Sequence, residues 1–223
     1  PSRISFHNKQ GTGIVPLQDI TAYSTDPGKN PFISFYKETI FDNMADDIPD
    51  VIGISITYQS QILPGITFAR LIREHYKHTK ILMGGNIISY WYDVIGHYPE
   101  FREWSDFYIP FEGETALHSL LQSLQGKHPL SRVPNLIYFH NGKVYKNPPV
   151  IEDINTLPTP DFSDLPLEKY LSPDLVFPLS TSRGCYWSRC RFCSVSSSFR
   201  GTYRSRHKDM LYRDILKLIS TYD

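Results

Sequence analysis

Apolar positions in the first two-thirds of the chain follow two patterns. Short unbroken runs rich in β-branched residues predict strands buried on both faces, over 51–57, 81–83 and 106–109. Apolar residues spaced three and four apart predict amphipathic helices, over 33–44, 62–76, 91–95 and 117–124. Strands that alternate with helices in this way indicate an α/β domain with a parallel sheet, of Rossmann or flavodoxin-like type, joined by right-handed crossovers.

The pattern differs at both ends of this region. Residues 1–30 carry scattered glycine and proline, which predicts loop and partial edge structure. Asn141-Gly142 between two apolar runs favours a type I′ turn and predicts a β-hairpin over 136–145. We therefore expect a first domain over 1–146 that ends in this hairpin.

The remaining sequence predicts a linker and the start of a second domain. Seven prolines lie in 147–178, and we interpret 147–174 as an ordered, extended linker. A new strand over 175–181 then leads into a cysteine-rich loop, and Leu211, Ile215 and Leu218 mark a helix after it. The second domain is expected to span 175–223.

Composition narrows the classes of protein. The chain has 23 basic and 23 acidic residues, so no global field favours nucleic acid or a membrane surface. No apolar run is long enough to span a bilayer, and no secretory leader is visible. Three clustered cysteines point to a reducing compartment, so we expect a cytoplasmic protein without a membrane partner. Because the chain opens on Pro1 and stops after a helical segment, we also expect a fragment.

Three predicted strands end in loops suited to ligand binding. The loops are Ser55-Ile-Thr57, Gly84-Gly85 and Glu112-Gly113-Glu114. The carboxyl ends of parallel strands meet at one edge of a sheet, which is where ligands bind in open α/β folds. Glycines there allow close approach to the backbone, although they also make tight strand-to-helix turns. Both interpretations stay open.

Cys185, Cys190 and Cys193 are all the cysteines of the chain and have the spacing C-x4-C-x2-C. An odd number of thiols cannot pair completely, whereas several thiolates on one loop suit a soft metal centre. Three ligands leave one coordination position open, as a substrate-binding metal requires. Neighbouring arginines at 183, 189 and 191 would favour the thiolate form. A zinc site completed by His207 is the alternative.

The run from Arg183 to Lys208 has eight basic residues and no acid. It could bind a nucleic acid, or it could balance the charge of thiolates and bound groups or lie on a solvated face. The second interpretation is favoured, because a basic patch alone is a weak motif.

Longer motifs resemble one family. They are Leu157-Pro-Thr-Pro-Asp161-Phe-Ser-Asp164-Leu, Tyr170-Leu-Ser-Pro173 and Thr181-Ser-Arg-Gly-Cys185-Tyr-Trp-Ser-Arg-Cys190-Arg-Phe-Cys193, with Pro49-Asp50-Val-Ile-Gly53-Ile-Ser55, Gly84-Gly85 and Glu112-Gly113-Glu114 upstream. Together these resemble cobalamin-binding-domain radical S-adenosylmethionine (SAM) enzymes over about residues 35–223. The cysteine motif is specific, and the glycine motifs alone are not.

The resemblance implies cofactors for both domains. Cys185, Cys190 and Cys193 would hold a [4Fe–4S] cluster whose fourth iron binds SAM, and Phe192 would lie against the adenine. An external electron donor would reduce the cluster, and SAM cleavage would give a 5′-deoxyadenosyl radical. The residues that would line the cobalamin site are Ser55, Thr57, Gly84, Gly85 and Glu112.

Three departures from the family pattern limit these expectations. The cysteine loop is one residue longer than the commonest family spacing, and an Asp-x-His-x-x-Gly cobalt-ligand motif is absent. Only the first βα unit of a radical SAM barrel is expected, so this chain alone should be inactive. The best hypothesis for the parent is methyl transfer to an unactivated carbon of a small-molecule or peptide substrate. The alternatives are a tRNA-modifying radical SAM enzyme without cobalamin and a zinc-stabilised binding module.

Overall fold

The computed structural model describes residues 17–41, 44, 48–191, 193 and 195–222. The chain forms two compact units, Pro1–Val150 and Ile151–Asp223. No helix within these described residues is long and apolar enough to cross a lipid bilayer.

The first unit is built on a five-stranded sheet. Its strands are β1 (Val51–Ser55), β2 (Lys80–Gly84), β3 (Phe107–Ile109), β4 (Ile137–His140) and β5 (Lys143–Lys146), in the order β1-β2-β3-β4-β5. The first three strands are parallel, and β4 and β5 are antiparallel. Asn141 and Gly142 have φ angles of 48° and 77°, as a type I′ hairpin requires. The predicted α/β class, parallel sheet and hairpin are confirmed.

Helices flank this sheet. They are α1 (Leu17–Thr25), α2 (Phe32–Tyr36, continued by a π-helical turn over Lys37–Phe41), α3 (Ile62–His75), α4 (Asn86–Tyr90), α5 (Glu100–Trp104) and α6 (Glu114–Leu124). The helices predicted over 33–44, 62–76 and 117–124 are therefore present as α2 with its continuation, α3 and α6, although residues 42, 43 and 45–47 lie outside the description.

The two faces of the sheet are covered to different extents. On one face, Ile52, Ile54 and Ile56 of β1 and its following loop pack with the core formed by α1, α3, α4 and α5. On the other face, α6 covers β2 and β3 through a smaller cluster that includes Leu82 and Leu120. Gly53 and Ser55 point to this second face and are exposed. The second face of β1 is therefore open to solvent, and the prediction that this strand is buried on both faces is wrong, because the cluster beneath α6 includes residues of β2 and β3 but none of β1.

Two other predictions in the first unit were wrong. Residues 91–95 form turns between α4 and α5, because Gly96 at φ 97° ends any helical path and Pro99 begins a new helix. Residues 17–25 form α1 and not loop, because Leu17, Ile20 and Ser24 are buried at helical spacing. The breakers Asp26-Pro27-Gly28 follow the end of this helix. Residues 1–16 lie outside the description.

The second unit contains two short strands, β6 (Ser182–Arg183) and β7 (Arg204–Ser205), and the helices α7 (Val195–Ser198) and α8 (Lys208–Tyr222). β6 and β7 pair antiparallel. The predicted helix after the cysteines is confirmed as α8. The strand predicted over 175–181 is wrong, since a strand needs a ladder of hydrogen bonds to a neighbouring strand and no other strand pairs with these residues in the described chain; Thr181, next to β6, accepts a hydrogen bond from the Arg206 amide.

The proline-rich segment after Val150 contributes to this unit. Phe162, Phe177 and Tyr222 form an aromatic cluster, with ring centroids of Phe177 and Tyr222 4.7 Å apart. The Tyr222 hydroxyl accepts a hydrogen bond from the Phe162 amide (2.7 Å) and donates one to Asp161 (2.9 Å). Residues 154–162, which we call the strap, contact α8 at Asp214 and at Tyr222. The assignment of 147–174 as a linker stays a prediction.

Candidate functional site

The cysteine loop begins directly after β6 with a glycine that no other residue could replace easily. Gly184 has a φ angle of 81°, and a Cβ atom there would lie 1.6 Å from the Thr202 carbonyl oxygen. Such a distance is far inside van der Waals contact, so the loop packs backbone against backbone on the turn that precedes β7. This contact fixes where the loop leaves β6.

The three cysteine thiols are free and accessible. Cys185 and Cys193 are half-buried, and Cys190 is exposed. The Ser188 hydroxyl donates to the Cys185 carbonyl oxygen (2.8 Å), and the Cys193 amide donates to the Cys190 carbonyl oxygen (3.2 Å). Two local turns therefore fold the loop between its cysteines.

The structure does not gather these thiols around one point. Among the residues that it describes, no three cysteine, histidine or acidic side chains form a group that could hold a metal ion. The four-ligand zinc set with His207 is accordingly not assembled either. In donor chemistry the loop still fits an iron–sulfur cluster, because three free thiols on one segment are the ligands such clusters take.

Aromatic and basic side chains surround the loop. Tyr186 is 85% exposed and meets the Tyr203 ring edge-on at 6.2 Å. The Arg189 guanidinium lies 5.5 Å from the Trp187 ring centroid. Phe192, which the family resemblance places against adenine, lies outside the described residues.

Two members of the basic run serve internal interactions. The Arg206 side chain is 6% exposed and is paired with Asp214. Arg204 donates through Nη1 to the Glu152 carbonyl oxygen at 2.5 Å. The charges of these two residues therefore interact within the second unit, and the interpretation of the whole basic run stays a prediction.

In the first unit, the three predicted ligand loops meet at one edge of the sheet. Ser55 lies opposite Gly84, and Gly84 lies opposite Ile109, three residues before Glu112. Ser55 and Thr57 are exposed, whereas Glu112 is buried. The loops thus combine accessible hydroxyl groups with small residues at the carboxyl ends of three neighbouring strands.

Gly85 is required by the packing of this edge. Its φ angle is 95°, and a Cβ atom there would lie 2.6 Å from the Ile56 carbonyl oxygen. At Gly53, by contrast, a Cβ atom would meet nothing within 4 Å. The edge therefore has a tightly packed turn beside an open face of β1.

Three polar residues that the sequence analysis missed hold the loops in place. Gln61 Oε1 accepts hydrogen bonds from the amides of Thr57 (2.8 Å) and Tyr58 (3.0 Å). Ser89 Oγ accepts from the Phe111 amide (2.7 Å) and donates to the Gly85 carbonyl oxygen (3.3 Å), which joins the second and third loops.

Asn135 completes this set of loop contacts. Its Nδ2 donates to the Glu112 carbonyl oxygen (2.7 Å), and its Oδ1 accepts from the Val150 amide (2.6 Å). A pattern of apolar periodicity carries no signal for such side chains, because their role depends on polar hydrogen bonds to the backbone and not on apolar burial. Only the turn tendency of Pro134-Asn135 hinted at a special conformation, and Asn135 does have a φ angle of 59°.

Comparison with solved structures shows which proteins share the fold of this chain. The structure of the cobalamin-dependent S-adenosylmethionine radical enzyme OxsB, with aqua-cobalamin and S-adenosylmethionine bound, superposes with a TM-score of 0.68 at 24% identity, over 86% of this chain and 26% of that chain. The radical S-adenosylmethionine methyltransferase TsrM from Kitasatospora setae, bound to tryptophan and a SAM analogue, gives 0.54 at 16% identity, over 83% and 37%. The chain thus shares its fold with part of cobalamin-dependent radical SAM enzymes.

Sequence relatives agree with this class. An uncharacterized methyltransferase of Pyrococcus horikoshii is 27% identical over 194 residues, and the 4'-phospho-dehydrooxetanocin synthase of Priestia megaterium is 31% identical over 172 residues. These alignments cover 79% and 72% of this chain but only 41% and 22% of the relatives. No protein-family model matches the chain. The resemblance to cobalamin-binding-domain radical SAM enzymes, first inferred from motifs, is confirmed by these likenesses in fold and sequence.

Proposed function

We propose that this chain is the cofactor-binding part of a cobalamin-dependent radical SAM enzyme. The observation that carries the proposal is the loop of three free thiols that follows β6, in a chain whose fold is shared with enzymes of this class. The chain spans less than half of its curated relatives, so the reaction belongs to the whole protein.

The residues of the second unit would provide the cluster ligands. Cys185, Cys190 and Cys193 would each give one thiolate, which leaves one iron of a [4Fe–4S] cluster without a protein ligand. When bound, such a cluster supplies the electron that cleaves SAM to a 5′-deoxyadenosyl radical. Gly184 would fix the start of the loop, and the exposed Cys190 leaves room for the loop to close around the inorganic core.

The residues of the first unit would bind cobalamin. Ser55 and Thr57 would offer hydroxyl groups, Gly84 and Gly85 would let a large flat ligand approach the backbone, and Glu112 would line the same edge. The uncovered face of β1 supports this role, because a ligand of that size needs open surface next to the loops.

For the parent enzyme we propose methyl transfer to an unactivated carbon. Two observations favour it over a tRNA-modifying enzyme without cobalamin: the methyltransferases among the relatives, and the internal pairing of Arg204 and Arg206. The zinc-stabilised module is the second candidate, and the composition of the bound metal separates it from the first.

Anaerobic reconstitution with ferrous iron and sulfide tests the cluster. We expect broad absorption in the blue region, an EPR signal after reduction, and the loss of both in a variant with all three cysteines changed to alanine. Stoichiometric zinc in the purified chain, with no iron-dependent absorption after reconstitution, would contradict the proposal.

Equilibrium dialysis with hydroxocobalamin tests the first unit. We expect binding by the full chain and a marked loss with Ser55→Phe, which adds bulk on the open face without displacing core residues. Lys143→Phe, at an exposed position on β5, is the matched control and should bind cobalamin as tightly as the unsubstituted chain does. Equal binding by both variants would exclude this edge of the sheet as the site.

A further inference from the structure

Arg206 joins three segments of the second unit, which are the segment that leads into the cysteine loop, the helix α8 and the strap. It follows β7 directly, and its amide donates a hydrogen bond to the Thr181 carbonyl oxygen (2.9 Å), next to the first residue of β6. The backbone of Arg206 is therefore attached to the segment that leads into the cysteine loop.

The side chain of Arg206 joins the other two segments. Its Nε donates to Asp214 Oδ2 of α8 at 2.5 Å, and the two side chains are 6% and 4% exposed. Its Nη1 donates to the carbonyl oxygen of Ile154, and its Nη2 donates to that of Leu157 at 3.0 Å. One buried guanidinium thus links α8 to the strap.

Asp214 is held in its charged form from both sides. Burial by itself would raise the pKa of this carboxyl, but hydrogen bonds from Arg206 and Thr159, together with nearby arginine charge, outweigh burial and lower the pKa. The Thr159 hydroxyl donates to Asp214 Oδ1 at 2.8 Å, which adds a further contact between α8 and the strap.

A short rigid path leads from this pair to the first cysteine. Ser205 and Arg204 pair with Ser182 and Arg183, and Gly184 then packs against Thr202 immediately before Cys185. A displacement of Arg206 would therefore move β7, β6 and the start of the loop together.

We propose that Arg206 and Asp214 are positioning residues that hold the Cys185 end of the cysteine loop in place for metal binding. The proposal rests on the proposed function only in that the loop holds a metal. A buried ion pair adds little net stability compared with apolar packing, because the charges lose hydration. The pair instead fixes the geometry of the unit, since four hydrogen bonds from Arg206 hold three segments in place relative to one another.

Cobalt(II) titration of the reduced full chain, under argon, tests this role without an assembled cluster. The readout is the thiolate-to-cobalt charge-transfer absorption, and Asp214→Asn is the test variant. We expect its cobalt affinity to fall about tenfold, the lower end of the range for residues that orient metal ligands. Asp209→Asn removes an exposed charge from the same helix and should leave the affinity unchanged.

A second variant and a second measurement separate positioning from mere stability. Thr159→Val removes one hydrogen bond to Asp214, should remain folded, and should weaken cobalt binding by a smaller factor. Circular dichroism at the titration temperature confirms folding. The proposal is overturned if either folded variant binds cobalt as tightly as the unsubstituted chain does. It is also overturned if the unsubstituted chain binds no cobalt through its cysteines. Cobalt binding without iron–sulfur assembly would instead refute the proposed function alone.

Discussion

Gly184→Ala is the sharpest perturbation that the cysteine loop offers. The substitution places a Cβ atom 1.6 Å from the Thr202 carbonyl oxygen, in a backbone with φ of 81°. The left-handed conformation alone costs an L residue about 1–2 kcal/mol. Relief of the clash requires the loop to move away from β7, which sacrifices about two backbone hydrogen bonds at about 1 kcal/mol each. We expect a total destabilisation of about 3–4 kcal/mol.

Gly201→Ala is a matched control for this prediction. Gly201 has a similar φ of 70°, but a Cβ atom there meets nothing within 4 Å. Gly201→Ala should therefore destabilise this region only by the cost of the left-handed conformation, about 1–2 kcal/mol. The assay is hydrogen exchange by mass spectrometry on peptides that span β6 to β7, which reports the opening free energy of this region. Equal protection in the two variants would refute the claim that backbone contact fixes the loop.

Three further predictions concern other parts of the chain. Gly85→Ala should destabilise the first unit by about 2–4 kcal/mol in urea unfolding, because its Cβ atom would meet Ile56 at 2.6 Å, and a change below about 1 kcal/mol would contradict that packing. Asn135→Ala should weaken cobalamin binding and lower the free energy of unfolding by about 2–3 kcal/mol, since it breaks the hydrogen bonds to Glu112 and Val150. An unchanged cobalamin affinity in equilibrium dialysis would argue against this role of Asn135. Because the folded pKa of Asp214 is lowered, its contribution to stability is present above the unfolded value of about 3.9 and is lost as pH falls through the folded value. Urea unfolding should therefore show a smaller acid-dependent loss of stability in Asp214→Asn than in the unsubstituted chain, since carboxyls such as Asp161 still contribute in the variant.

Local pattern was sufficient for much of the fold. The β-branched run over 51–57 identified the strand β1, but the prediction that both faces of this strand are buried was wrong, because Gly53 and Ser55 are exposed. The hairpin followed from Asn141-Gly142 because its turn type depends on two adjacent positive φ angles. Local conformation can be predicted from the sequence where two or three neighbouring residues determine it.

The remaining errors share a physical cause. Trp91 and Ile95 have helical spacing and are buried, but they lie in turns that precede Gly96, and spacing alone cannot tell a turn from a helix. The strand predicted over 175–181 was wrong because no second strand pairs with these residues in the described chain, and strand pairing depends on the rest of the fold. The role of Arg206 was not predicted, since its hydrogen bonds to Ile154 and Leu157 join segments about 50 residues apart in sequence.

For the site, sequence indicated which residue types could act but not how they are arranged. The edge formed by Ser55, Gly84 and the loop before Glu112 follows from strand order, because carboxyl ends of parallel strands align. The separation of the thiols of Cys185, Cys190 and Cys193 could not be predicted, since loop conformation depends on contacts such as that of Gly184 with Thr202.

The central claim is a cluster held by three cysteines with one iron open to SAM. EPR of the reconstituted, reduced chain, recorded before and after addition of SAM, tests it directly. We predict that SAM changes the g-values of the reduced cluster, because the amino and carboxylate groups of SAM would bind the iron that no cysteine holds. An unchanged spectrum in the presence of saturating SAM, or a chain that assembles no cluster, would contradict it.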